Sequence, residues 1–164
     1  MTRAQPTQAQ PTQAQPDSAT AALQAALAAE NAAVFGYGVA GAYLTGTRQA
    51  TATTYWNDHR SAGDALASLL RARGVQPAAA DAAYKMPFAV RTAKQAASLA
   101  VYLEDGVTTA YLGLVADSDA ALRRMGALAM QDCAVRATYW RGYTVPFPGL
   151  PASSPGGSRS RHMA

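Results

Sequence analysis

The sequence predicts an all-α fold, a bundle of four helices built as two antiparallel hairpins joined by a long crossover. Three observations carry this expectation. Close to half of the 164 residues are apolar, yet alanine supplies much of that share and aromatic residues only 8%. Such a composition, with little β-branched clustering, suits closely packed helices better than a sheet. Apolar residues then recur at alternating spacings of three and four in four separate stretches, which is the period of one helix face. Finally, the connections are unequal: TGTRQ and DSD join the outer pairs, whereas VQPAAADAAYKMPFAVR, with two prolines, separates the second stretch from the third. The length fits one domain with a proper core.

Residues 1–16 repeat AQPTQ and then begin AQPD. A Pro/Gln/Thr tract of this kind buries too little apolar surface to offset chain entropy, so disorder is expected there. The bundle is placed at 17–150. Asp17 or Ser18 caps the first helix, Leu23, Leu27, Val34, Tyr37, Gly41 and Leu44 form its stripe, and Gly46 ends it. The second helix runs from about Ala50 to Arg73 and stops at Gly74, with Tyr55, His59, Gly63, Leu66 and Leu70 on one stripe. The third starts near Thr92 and carries Ala97, Ala100, Val107, Tyr111 and Leu114. The fourth follows Ser118 as cap and carries Ala121, Met125, Leu128, Val135 and Tyr139. Beyond Val145 the chain turns Pro-rich, and residues 151–164 are expected to be a flexible tail.

The single cysteine, Cys133, excludes an internal disulfide framework and suits a reducing compartment. The N-terminus lacks the basic-then-apolar pattern of a secretory signal, and the longest apolar stretches carry Glu30 or Glu104 near their middles. A soluble cytoplasmic protein without membrane association is therefore expected. The net charge of +4 and pI near 9.5 come from scattered arginines. They form no concentrated face or nucleic-acid motif, so RNA association is the weakest functional reading. No serine triad, zinc spacing or nucleotide fingerprint is present.

The informative residues interrupt the apolar stripes. The first helix's spacing lands on Glu30, the second's on His59, the third's on Glu104 and the fourth's on Asp132. Each helix is thus expected to bring one ionisable group into an apolar seam. Glu104 and Tyr111 also lie 74 residues after Glu30 and Tyr37, and the same offset relates Asp132 to Asp58 and Cys133 to His59. The two hairpins read as copies of one another. A buried carboxylate needs a partner or a proton, and three solutions are open. Iron or manganese could be held by Glu30, His59, Glu104 and Asp132. Arginines could pair with the acids, Arg136 lying four residues beyond Asp132. His59 with the hydroxyls of Tyr37 and Tyr111 could close a hydrogen-bonded network.

The ordered series AAENAAVFGYGVAGAYL, DHRSAGDALASLL, AAYKMPFAV, LAVYLEDGVTTAYLGLV and RATYWRGY…FPGL resembles an alanine-rich ferritin-like domain family of actinobacteria without assigned function. The resemblance spans roughly residues 20–150 and implies a ferritin-like bundle, the type that has a long connection in its middle. Di-iron members of that superfamily use single glutamates on two helices and Glu-x-x-His pairs on the other two. Glu30 and Glu104 match the single glutamates. Trp56 stands three before His59 where a glutamate is required, and Val135 stands three after Asp132 where a histidine is required, so both pairs are broken. The resulting expectation is a non-catalytic structural or interaction module, dimeric as a homodimer. The alternative is an iron or manganese protein with a reduced carboxylate/histidine site, used for storage or for redox with oxygen or peroxide.

Overall fold

The computed structural model describes residues 17–148. The segments expected to be disordered (1–16) and tail-like (151–164) lie outside the described residues. Within them, four helices follow in order: α1 Ser18–Gly41, α2 Gly46–Ala72, α3 Ala93–Val115 and α4 Ala120–Arg141.

The helix ends follow from local chemistry. The Asp17 side chain accepts a hydrogen bond from Thr20 N and starts α1, and Thr92 accepts from Gln95 N to start α3. Asp119, one residue beyond the expected Ser118, caps α4 by accepting from Ala121 N and Leu122 N. Gly142 ends α4 at φ +85, a left-handed conformation in which any Cβ is penalised. The first turn also differs from expectation. Helix α1 stops at Gly41 and α2 begins at Gly46, so most of TGTRQ is helical. Leu44, expected on the α1 stripe, sits in the loop and is still buried.

Helix α1 packs on both α2 and α3, and α3 packs on α4. Residues 30 and 37 of α1 meet residues 111 and 104 of α3, so these two helices run antiparallel. Close approach is set by small residues. A Cβ on Gly36 would stand 2.5 Å from Leu103 Cδ1, and one on Gly126 would stand 3.0 Å from Leu114 Cβ and 3.1 Å from Val115 N. Gly38 and Gly41, by contrast, face open space. Helices α2 and α4 meet through long side chains instead: Arg136 reaches Asp58, and Tyr139 packs edge-on to Tyr55. The crossover, residues 73–92, is pinned to α1 by Gln24, which donates to Gln76 O and accepts from Ala78 N. Phe35 and Tyr84 add a ring contact, and Val90 is buried beneath.

The core confirms the internal likeness of the two hairpins. On α2 the buried residues include Ala52, His59, Gly63 and Leu66, and on α4 they include Gly126, Cys133, Ala137 and Trp140. These sets coincide under the offset of 74 seen in the sequence. So do Ala22, Leu23, Ala26, Glu30, Ala33, Tyr37 and Ala40 of α1 with Ala96, Ala97, Ala100, Glu104, Val107, Tyr111 and Leu114 of α3.

Candidate functional site

Three buried ionisable side chains and their partners fill the middle of the bundle. Glu30, His59 and Glu104 are 2%, 1% and 0% exposed. The imidazole lies between the carboxylates, with Nδ1 2.6 Å from Glu30 Oε2 and Nε2 3.2 Å from Glu104 Oε1. The tyrosines complete the ring crosswise. Tyr111 of α3 donates to Glu30 Oε1 on α1 at 2.7 Å, and Tyr37 of α1 donates to Glu104 Oε1 on α3 at 2.5 Å. Trp140 Nε1 of α4 donates in turn to the Tyr37 hydroxyl at 2.8 Å. The α3 backbone around Glu104 is held by Thr108, whose hydroxyl donates to the Glu104 carbonyl.

This arrangement decides the protonation of the imidazole. Burial by itself would lower the His59 pKa, but the hydrogen bonds and charges of Glu104 and Glu30 outweigh it and push it up to about 9. At neutral pH His59 is therefore an imidazolium, donating from both nitrogens. Burial, followed by the charges of the same carboxylates, holds the Tyr37 and Tyr111 hydroxyls far above their ordinary range, so both remain neutral donors. Cys133 faces the carboxylates from α4, and burial with the charges of Glu104 and Glu30 keeps its thiol protonated. Such a thiol is a poor nucleophile.

Two sequence expectations are corrected here. Asp132 is exposed and takes no part in the seam; Cys133 occupies that place. The expected α4 stripe is out of phase: Leu128 and Val135 are 49% and 63% exposed, while Leu122, Gly126, Cys133, Ala137 and Trp140 face inward. Arg136 pairs with Asp58 across the bundle at 3.1 Å and lies over the Tyr55 ring; it has no ion pair with Asp132. It remains half-buried and near enough to feel Glu104, adding positive charge beside the seam. Trp140 was not anticipated as a polar member of the network. The signal for it and for Cys133 was the 74-residue offset, which equates them with Leu66 and His59 of α2.

The donor set fits a metal poorly as arranged. A metal ligand must be a neutral imidazole, so an ion would have to displace a proton from a ring whose two nitrogens are both bonded to carboxylates. A single ring bonded to both carboxylates can offer only one nitrogen to an ion, and doing so would break that nitrogen's carboxylate bond. Among the described residues, no group of three or more His, Cys, Asp and Glu side chains is arranged to hold a metal ion.

The comparisons agree with this picture of an uncharacterised helical domain. The structure is similar to the crystal structure of a conserved hypothetical protein, rv2844, from Mycobacterium tuberculosis, with a TM-score of 0.75 and 33% identity over 79% of this chain and 98% of that one. No functionally curated protein matches significantly. A family model described as a domain of unknown function, DUF4439, matches residues 22–152. The chain belongs to the DUF4439 domain family.

Proposed function

We propose that this protein is a ferritin-like bundle in which a protonated histidine takes the central position that metal holds in di-iron relatives of that fold, and that it serves as a non-catalytic structural or interaction module. The observation that carries the reading is His59 bridging Glu30 and Glu104 through both ring nitrogens. The imidazolium supplies the positive charge and the directed bonds that buried carboxylates require. Tyr37 and Tyr111 bond Glu104 Oε1 and Glu30 Oε1, and Trp140 bonds the Tyr37 hydroxyl. For interaction, α4 presents Leu128, Val135 and Tyr139 outward, and a homodimer through this face is part of the proposal. Its single buried cysteine suits a reducing, cytoplasmic setting.

One observation favours a second reading, an iron or manganese protein using Glu30, His59 and Glu104. Glu104 Oε2 is buried without a hydrogen-bond partner among the described residues, which leaves one acceptor open. That reading requires His59 to lose a proton and one of its carboxylate bonds.

Metal content separates the two. Protein purified without chelator or metal-affinity resin, then reconstituted anaerobically with Fe(II) or Mn(II), should carry no more metal by plasma mass spectrometry than the Glu30→Gln/Glu104→Gln variant. Roughly stoichiometric metal that disappears in that variant would overturn the module reading in favour of the second.

A further inference from the structure

At the end of the bundle opposite the interhelical turn of α3 and α4, the first turns of α2 and α3 and the last turn of α4 enclose a cavity of about 540 Å³. Its wall carries Arg48, Lys94, Ser98, Trp140, Arg141 and Tyr143, and none of its described lining residues is acidic. Arg141 is committed: its Nη2 stands 2.6 Å from Asp105 Oδ2, and its guanidinium lies over the Tyr143 ring. Arg48 and Lys94 have no ion pair among the described residues. They also stand in helix first turns that contain no acidic residue. Positive side chains are unfavourable there, because the helix N-terminus is itself positive. Two uncompensated cations therefore share one cavity with an indole and a phenol, a volume within the range of small-molecule sites.

We propose that this cavity binds a small phosphorylated molecule with a planar ring. A phosphate carries up to two negative charges and three acceptor oxygens, which matches two free cations better than a single carboxylate does. The ring packs against Trp140 and Tyr143, and Ser98 offers a hydroxyl to the phosphate or its ester. This site is separate from the carboxylate–histidine seam and does not rest on how that seam is read. It touches the seam through one residue, since Trp140 lines the cavity and donates from Nε1 to Tyr37.

The chain has two tryptophans, and Trp56 lies outside the cavity. In a Trp56→Phe background, fluorescence excited at the red edge of tryptophan absorption, beyond that of the tyrosines, reports Trp140 alone. Titration with ADP at constant ionic strength should change it saturably, and inorganic phosphate should bind more weakly than ADP. Arg48→Ala with Lys94→Ala, both exposed positions, should weaken ADP at least tenfold while the melting transition stays where it was. The proposal is overturned if the signal does not saturate, if sodium chloride reproduces it, or if the double variant binds ADP as well as the parent. Phosphate binding as tightly as ADP would remove the ring from the proposal and overturn its stated ligand class.

Discussion

His59 of α2 and Cys133 of α4 occupy equivalent places in the two hairpins, 74 residues apart, both buried and both facing Glu30 and Glu104. The bundle is thus nearly two-fold in its glutamates and tyrosines and asymmetric at its centre. On one side stands an imidazolium that bonds both acids; on the other stands a small neutral thiol. The asymmetry fixes the charge of the seam, because two histidines between the same carboxylates would compete for the same oxygens. Several consequences can be measured.

Stability should fall as pH rises through the range that His59 controls. Its pKa is raised from 6.5 to about 9 on folding. Between these values the folded chain holds a proton that the unfolded chain has released, so the contribution is complete below pH 6.5 and lost as pH passes 9. The size is on the order of 3 kcal/mol for this shift. Above that range the raised pKa values of Cys133, Tyr37 and Tyr111 act in the same direction. Urea midpoints measured at intervals from pH 6 to 10, as a rough span for that linkage, check this. A flat profile would show that His59 is neutral in the fold.

Removing the cation should cost more than removing both acids. His59→Ala leaves Glu30 and Glu104 buried without their imidazolium, at about 3–5 kcal/mol. Glu30→Gln with Glu104→Gln keeps neutral acceptors for Tyr111 and Tyr37 and lets His59 discharge, so the loss should stay under about 2 kcal/mol. The double variant should also lose the pH dependence described above. Equal costs for the two variants, read by denaturant unfolding, would contradict the charge assignment.

Two glycines, Gly126 of α4 and Gly38 of α1, should respond oppositely to alanine. At Gly126 the new Cβ meets Leu114 Cβ and the Val115 backbone nitrogen at 3.0 and 3.1 Å, and backbone cannot step aside cheaply. A loss of about 1–3 kcal/mol is expected. At Gly38, in the last turn of α1 and with nothing within 4 Å, alanine should stabilise by up to about 0.5–1 kcal/mol. Thermal melts of both variants decide whether α3 and α4 are packed as closely as described.

Adjacent surfaces of α4 should likewise separate. Asp132→Ala should change stability by no more than about 0.5 kcal/mol, since the side chain is exposed. Trp140→Phe removes the donor to Tyr37 and leaves space in the core, so about 1–3 kcal/mol should be lost. A large effect at Asp132 would restore it to the seam.

How much of this was legible in the sequence differs between the four helices. On α1, α2 and α3 the spacing of apolar residues put Glu30, His59 and Glu104 on the buried face, because on these helices the large apolar residues of the stripe, such as Leu23, Leu66 and Leu114, point inward. On α4 the same method chose Leu128 and Val135, which are exposed, over Cys133 and Trp140, which are buried. This helix carries Leu128, Val135 and Tyr139 on its outer face and small Gly126, Cys133 and Ala137 in the middle of its inner one, so hydrophobicity points the wrong way. Close packing on α3 demands small inward residues at Gly126 and Ala137, and that demand comes from the neighbour rather than from α4 itself.

The sequence by itself determined the helical class, the two hairpins and their crossover, and the identity of the three central ionisable groups, since each of these follows from local spacing, capping and turn chemistry. Tertiary structure alone decided which groups bond to which. Tyr37 reaches Glu104 and Tyr111 reaches Glu30 because α1 and α3 run antiparallel at one register, and Arg136 reaches Asp58 because α2 and α4 face each other across the bundle. The charge on His59 belongs to that second class: a pKa near 9 exists only where two carboxylates from different helices converge on one buried ring.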